Sequence, residues 1–414
     1  MKLGRNSDDM RMKNRCTILE ILLRTEKISR ADLVRLTGLN KATITNIIND
    51  FSQIGIINNI GTVVASNGRK TAGITLNMKD TVTIVIRINR HEMSFAFCNV
   101  HGEITDLRVE RYSDDDGIET LLNLLYSNTQ YLIDHRQGKK ILGISIAILG
   151  WLFQHEGHLI SKADAFPELS KVDFREEIQK MFPNYKVLLD HDANLSALAE
   201  WKEYAKESGK TEGSMLSIIG GIGFGGGIII NGELFRGSNG VAGEVGHMGI
   251  NFNAVHYSSI DNKAYKGIFE EYASPRALLD AVSDRLMDFP GTSLNDSSTL
   301  EDIYKAYEQG DELAVWAMNR ISRLVAYGLT GLVFVLNPGV IVLGDKIIRS
   351  ERFLSKLKNN LKELLPEMLY NTLDIRQSSF NEYGVLIGAS IAMTKYYLST
   401  YKMIGFIDKN YSEG

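Results

Sequence analysis

No part of the chain restricts its fold as tightly as Ser217–His247, which holds eleven of the 37 glycines. Glycine loses more backbone freedom on folding than any other residue, so such a density implies backbone pressed against a ligand or another strand. The apolar run Met215–Ile219 has the character of a buried strand ending at Gly220. Ile228–Ile230 forms a second strand that turns at Asn231-Gly232, a dipeptide suited to a tight hairpin. Gly220, Gly221, Gly223, Gly225, Gly226 and Gly227 lie between the two, as a phosphate cradle or as a plain structural hairpin. The stretch ends in Glu244 and His247, whose side chains can hydrogen-bond a polyhydroxylated ligand.

A chain of 414 residues exceeds one core of ordinary size, so two or three domains are expected. Hydrophobic residues at 44% and charged residues at 23% suit a globular protein. No apolar run approaches the roughly 18 residues of a membrane span; the longest, Ile141–Phe153, is broken by Gly143 and Gly150. A polar, basic N-terminus is unlike a signal peptide, and the expectation is a cytoplasmic protein with no membrane partner. Cys16 and Cys98 are the only cysteines, which excludes a disulfide framework and a cysteine-rich zinc site. No internal repeat or low-complexity tract is visible.

The formal net charge of −4 conceals an asymmetry, because Met1–Lys79 holds 13 Lys and Arg against 6 Asp and Glu. A basic head on an acidic body directs the head toward nucleic acid. The pattern of the head agrees. Ile18, Leu19, Ile21, Leu22 and Leu23 form an apolar stripe on a helix over Arg11–Arg24. Ser29 caps a second helix that stops at Gly38, and Asn40 caps a third. In the third, Ile44, Ile47, Ile48 and Phe51 face inward, leaving Lys41, Thr43, Thr45 and Asn46 outside as a short polar face for a major groove. Strands Ile56–Ile60 and Ala72–Leu76 then flank Ser66-Asn67-Gly68-Arg69-Lys70, a wing whose tip carries Arg69 and Lys70 to the DNA backbone or minor groove. A three-helix protein-interaction module with a solvated hairpin is the alternative.

From Thr81 the pattern is α/β. Val82–Ile88 and Met93–Val100, with the turn His101-Gly102, form an opening hairpin; a helix over Glu119–Ile133 and a strand over Ile141–Leu149 follow. Asp114-Asp115-Asp116 is a solvated loop. Strand Tyr185–Leu189 leads into Asp190-His191-Asp192-Ala193-Asn194 and a helix to about Lys206, which puts Asp192 at a helix N-terminus. There it is either a cap or an acceptor for a ligand hydroxyl. Glu312–Leu336 is a long, mostly apolar helix leading to the strand Val340–Leu343, and Tyr383–Leu398 is a closing helix.

Asp192-Ala193-Asn194 before a helix with Glu200, the glycine loop, Gly240-Val241-Ala242-Gly243-Glu244-Val245-Gly246-His247-Met248 and Phe269-Glu270-Glu271-Tyr272-Ala273-Ser274 together resemble the ROK family of repressors and sugar kinases. The winged helix resembles the family's repressor branch. The resemblance implies an actin/hexokinase-like body of two α/β lobes with a monosaccharide in the cleft. It divides the chain into a winged helix-turn-helix over 1–78, a first lobe over 79–190 to which helix 383–400 returns, and a second lobe over 191–382. It places Asp192 at the family's catalytic-base position and Glu244, His247 and Glu270 at sugar-contacting positions.

Departures from the kinase pattern remove the enzyme from the expectation. Where the family's kinases have Asp followed by Ile-Gly-Gly-Thr, this chain has Arg87-Ile88-Asn89-Arg90-His91, which loses a metal-side carboxylate and fills phosphate space with side chains. Ile222 stands where a threonine is expected, and Gly344-Asp345 where a Gly-Gly is expected. The family's three zinc cysteines are absent between His247 and Glu270, and His256 and Asp261 alone do not make a tetrahedral site, so no zinc or other cofactor is expected. His191 replaces the usual Asn before Asp192 and joins the candidate sugar contacts. The expectation is a sugar-responsive repressor on operator DNA, as a homodimer or dimer of dimers. A sugar kinase with a DNA-binding domain and a regulator answering to a protein partner remain the alternatives.

Overall fold

A computed structural model describes residues 7–25, 27–64, 68, 70–113, 115–155, 158–162, 173–220, 223–251, 267–345, 350–380, 383–400 and 402–406. In chain order its elements are α1 (Ser7–Arg24), β1 (Ile28–Ser29), α2 (Arg30–Thr37), α3 (Lys41–Gln53), β2 (Ile57–Val64), β3 (Lys70–Leu76), β4 (Thr81–Ile88), β5 (Glu92–Asn99), β6 (Ile104–Arg111), α4 (Ile118–Asp134), β7 (Lys140–Ile148), β8 (Trp151–His155), β9 (His158–Lys162), α5 (Phe174–Met181) and β10 (Lys186–His191). Then come α6 (Asp192–Ser208), β11 (Met215–Gly220), β12 (Phe224–Ile230), β13 (Glu233–Phe235), α7 (Phe269–Ala273), α8 (Pro275–Ser283), α9 (Leu300–Gln309), α10 (Glu312–Leu336), β14 (Val340–Asp345), α11 (Glu351–Leu364), α12 (Glu367–Tyr370), β15 (Asp374–Gln377) and α13 (Gly384–Ser399). They divide into two compact units, one of Met1–Trp151, His158–His191 and Leu386–Gly414, the other of Leu152–Gly157 and Asp192–Val385.

The head of the first unit is a winged helix. The Ser29 hydroxyl oxygen accepts from the Asp32 amide at 3.0 Å, Gly38 takes φ +68° to end α2, and the Asn40 side chain accepts from the Thr43 amide at 2.8 Å. These local bonds satisfy amides that a helix start leaves open. Strands β2 and β3 are longer than the sequence suggests. Lys70 pairs with Val64 as the first residue of β3 and so belongs to the wing's strand, while Ser66, Asn67 and Arg69 lie outside the described residues.

The rest of the first unit is a sheet in the order β10-β7-β4-β5-β6, with β10, β7 and β4 parallel and the last two antiparallel. Two expectations change here. The β4–β5 hairpin turns through Asn89–His91, where the Asn89 amide donates to Glu92 O at 2.9 Å; His101-Gly102 joins β5 to the unforeseen strand β6. Helix α13 lies on this sheet. The Tyr397 hydroxyl donates to Leu142 O at 2.8 Å, and the Ser390 hydroxyl to Cys98 O at 3.2 Å. A Cβ on Gly143 would stand 2.7 Å from Met393 Cε, so that glycine makes the room in which α13 seats. Met393, Leu398, Met403 and Ile404 also join Leu19, Ile44 and Phe51 in one buried cluster, so the winged helix and the lobe share a core.

The second unit repeats the plan, with a sheet in the order β13-β12-β11-β14-β15 whose members β11, β14 and β15 are parallel. Helix α10 is at the centre of its core, burying Ala317, Ile321, Val325, Leu329 and Val333. Strand β12 begins at Phe224, earlier than expected, because Gly225, Gly226 and Gly227 pair with Ile219, Ile218 and Ser217 as ordinary ladder residues. Asn231 (φ +53°) and Gly232 (φ +79°) form the predicted tight turn to β13. Among the described residues no helix is long and apolar enough to cross a membrane.

Helix α6 is buried along Asp192–Trp201, including the carboxylate of Glu200. That carboxylate accepts from the Ser378 hydroxyl at 2.5 Å and the Ser379 amide at 3.2 Å, tying α6 to the loop that leads into α13. Burial pushes the Glu200 carboxyl up from its ordinary value, and these hydrogen bonds oppose the shift. A raised folded-state value favours the protonated form. Its stabilisation is therefore complete below the unfolded value and is lost as pH rises through the folded one. Glu200→Gln keeps an oxygen to accept both bonds and cannot ionise. We expect the urea midpoint of the variant, relative to wild type, to rise as pH increases above the ordinary carboxyl value of 4.5; a difference that stays constant with pH rules the account out.

Candidate functional site

The sheet of the second unit brings the candidate ligand residues to strand β12. Successive residues of a strand point to opposite faces, and here both directions are occupied. On one face a Cβ on Gly227 would stand 2.5 Å from Ala193 O, so the first turn of α6, headed by Asp192, lies directly on the strand. On the other face a Cβ on Gly226 would stand 2.7 Å from Gly243 O; the Gly226 amide donates to that oxygen at 2.9 Å. Gly243 itself takes φ +101°, a conformation open to glycine at little cost.

Beyond Gly243 the chain makes a single 3₁₀ turn, Val245–His247, capped by Glu244 and held by the bond from the His247 amide to Glu244 O at 3.2 Å. The Phe269 amide then donates to Met248 O at 2.8 Å, which brings the start of α7 against this loop. The consequence is a meeting of two predicted residues, with His247 Nε2 standing 4.0 Å from Glu270 Oε1. Both side chains remain partly open to solvent, at 29% each, as a ligand-binding pair must. The second oxygen of Glu270 accepts from the Phe224 amide at 3.3 Å, at the end of the glycine turn.

Glu244, His247 and Glu270 are thus gathered in one loop cluster, and Asp192 reaches the same strand from its other face. Asp192 and His191 are both buried, His191 as the last residue of β10 in the first unit. Ile222 of the glycine turn, and His256 and Asp261, lie outside the described residues. Among the described residues no three His, Cys, Asp or Glu side chains gather to hold a metal ion. On the winged helix, Lys41 and Asn46 are exposed on α3 and Thr43 and Thr45 half-buried, while Lys70 is exposed at the turn end of β3, paired with Val64.

The arrangement contains supports that sequence patterns do not reveal. Gly246 and Gly223 both face the Glu270 carboxylate, and a Cβ on Gly246 would stand 2.7 Å from Glu270 Oε2. The Glu271 carboxylate accepts from the Gly267 amide at 2.6 Å, and the Ile250 amide donates to Gly267 O at 2.8 Å, closing the base of the segment between them. Acceptors at Glu244 and Glu270 beside a histidine that can donate or accept suit the hydroxyls of a neutral polyol.

The ROK family profile matches residues 83–395, three quarters of the chain. The chain belongs to the ROK family. It is 29% identical to a xylose repressor of Caldicellulosiruptor bescii over 92% of this chain and 94% of that protein. It is 26% identical to a xylose repressor of Bacillus spizizenii over 94% and 97%. Among solved structures, a ROK family transcriptional regulator homologous to the E. coli MLC protein superposes with a TM-score of 0.75 at 22% identity, covering 97% of this chain and 99% of that one. That likeness extends the shared fold across the winged helix as well as the ROK body.

The support of Glu270 by Gly246 can be tested directly. Gly246→Ala must displace the carboxylate or the Phe224 carbonyl, so we expect sugar affinity to fall on the order of 10-fold or more. Gly249→Ala, whose Cβ would meet nothing within 4 Å, is the control and should bind as wild type. Equal calorimetric affinity of the two variants would remove Gly246 from the site.

Proposed function

We propose that this ROK protein is a sugar-responsive transcriptional repressor without ATP-dependent kinase activity. It binds operator DNA through the winged helix of residues 1–78 and a monosaccharide through the body, as a homodimer or dimer of dimers. The observation that carries the proposal is a winged helix with an exposed, polar α3 in one chain with a ROK body, over a length that aligns almost end to end with relatives named xylose repressor. Asp192, Glu244, His247 and Glu270, with His191, supply the sugar's hydrogen-bond partners. Lys41, Thr43, Thr45, Asn46, Arg69 and Lys70 meet the DNA. Arg87 in place of a carboxylate, with Asn89 and Arg90 in place of glycines, speaks against a bound magnesium nucleotide. To induce, the sugar must bind the DNA-incompetent state more tightly, since equal affinity for both states shifts no population.

A sugar kinase is the second reading, favoured by Asp192 at the head of α6 and by a 24% identical glucokinase of Halalkalibacterium halodurans. Incubation with ATP, magnesium and a panel of pentoses and hexoses separates the two, because sugar phosphate forms only under the kinase reading.

For the repressor, calorimetry with the same panel, starting from xylose, should find one monosaccharide that binds and that lowers affinity for a duplex selected by the protein from random sequence. Glu270→Gln should lose the sugar response and keep DNA binding. Lys41→Ala should weaken DNA binding and reduce its salt slope by about 1. If no sugar binds or alters DNA affinity, the sugar-responsive part of the proposal falls.

A further inference from the structure

The helix assigned to the major groove has almost no charge of its own. Lys41 is the only cation of α3 and Asp50 its only anion. DNA is held chiefly by neutralising its phosphates, so the charge that α3 lacks has to come from the elements beside it. Three arginines of α1 and α2 stand there.

They approach α3 from two sides. Ile44, Ile47, Ile48 and Phe51 are buried, which turns Asn46 outward, and Asn46 is exposed. Residues three and four positions further along a helix lie on either side of the same line, so Asn49 and Asp50 flank Asn46 one turn on. On the Asn49 side, Arg30 of α2 donates from Nη2 to Asn49 Oδ1 at 3.4 Å. On the Asp50 side, Arg15 of α1 donates to Asp50 Oδ2, and Arg11 Nη2, one turn earlier on α1, stands 3.8 Å from the same oxygen.

The cluster at Asp50 is graded from inside to outside. The Arg15 side chain is 18% exposed and that of Asp50 33%, whereas that of Arg11 is 69% exposed. One carboxylate faces two guanidinium groups; the inner one neutralises it, and the outer one is turned to solvent. A carboxylate on a DNA-facing helix repels phosphate when it acts alone. Here it aligns a cation at the rim of the reading face instead. A guanidinium steadied in this way keeps N–H donors for phosphate oxygens and has less side-chain freedom left to lose on binding.

We propose that Arg11 and Arg30 form a two-sided clamp for the phosphates that border the major groove, with Asp50 and Asn49 as the positioning residues that hold them. The partner is duplex DNA, and the contact is indifferent to base sequence because it is made to the backbone. In a helix-turn-helix the helix before the recognition helix crosses that backbone, which suits Arg30 at the first position of α2. The inference rests on the DNA-binding reading above and names where the affinity of the head comes from. It also gives Asp50 an effect opposite in sign to the one its charge alone predicts.

The test follows the full chain by fluorescence anisotropy across a salt series, with the duplex it selects from random sequence and with an unrelated duplex. Arg11→Ala and Arg30→Ala should each reduce the slope of log affinity against log salt by about 1 and weaken both duplexes alike. Asp50→Asn removes a negative charge and on that ground should tighten binding; the clamp predicts weaker binding, a slope reduced by about 1, and no further flattening when Asp50→Asn is added to Arg11→Ala. Arg24 is exposed, is paired with Glu20 of its own helix and lies about 20 Å along α1 from Arg11 at ~1.5 Å per residue, so Arg24→Ala should keep the wild-type slope. An unchanged slope in either clamp variant, tighter binding by Asp50→Asn, or an equal loss in Arg24→Ala overturns the clamp. A folding defect lowers the active fraction and not the slope, and the two exposed-side arginine variants decide the matter if Asp50→Asn does not fold. If Lys41→Ala weakens binding and the arginine variants do not, the clamp falls and the repressor reading stands; if the wild-type chain binds neither duplex, both fall.

Discussion

The contact between the backbones of Gly226 and Gly243 holds the candidate site together. At that point strand β12 has no side chain on either face, so a loop descends onto one side while the first turn of α6 descends onto the other. A Cβ at Gly226 or Gly227 would displace backbone, which cannot move aside as a flexible side chain can. The dense glycines are therefore explained by packing. They bring the loop of Glu244 and His247 and the helix headed by Asp192 to a single strand, and this requirement stands whether or not a phosphate ever approached the turn.

Apart from the winged helix, β8–β9, α7–α9 and α12, the two units carry the same succession of elements: three antiparallel strands, a helix, a parallel strand, a helix and a second parallel strand. Each unit's last strand feeds a helix assigned to the other unit over most or all of its length. β10 of the first unit leads to α6 of the second, and β15 of the second leads to α13, which from Leu386 onward belongs to the first. No repeat is visible in the sequence, because a core asks for apolar residues of about the right volume and not for particular ones. Topology can persist after the residues that carry it have changed.

Much of the fold was legible where the determining interaction is local. Ser29, Gly38 and Asn40 mark the ends of α2 and α3 because their caps are hydrogen bonds or dihedrals within a few residues. Asn231-Gly232 marks its hairpin for the same reason. The edge strand β6 is not marked by its own pattern, because five of the eight residues of Ile104–Arg111 are polar and Asp106 takes φ +55°, so its pairing depends on β5. The start of β12 lies earlier than the sequence pattern places it because glycine has little strand preference of its own, and α6 and the Gly243 loop hold it there. For the site, the motif resemblance singled out Glu244, His247 and Glu270. It could not reveal that Gly223 and Gly246 make room for the Glu270 carboxylate, nor that Gly328 seats Phe269; these are single glycines whose meaning lies in what stands opposite them.

Helix α13 ties the winged helix to the rest of the first unit. At its start a Cβ on Gly384 would stand 3.6 Å from Ser196 Oγ, so α13 begins against α6 one turn beyond Asp192, and Glu200 clamps the preceding loop to the same helix. At its end Met393 and Leu398 enter the cluster that contains Leu19, Ile44 and Phe51 of the winged helix. A head joined to the body by a flexible linker would fold without α13. A head sharing close-packed core with α13 does not, so its stability depends on the same few side chains that close the first lobe, Met393 among them.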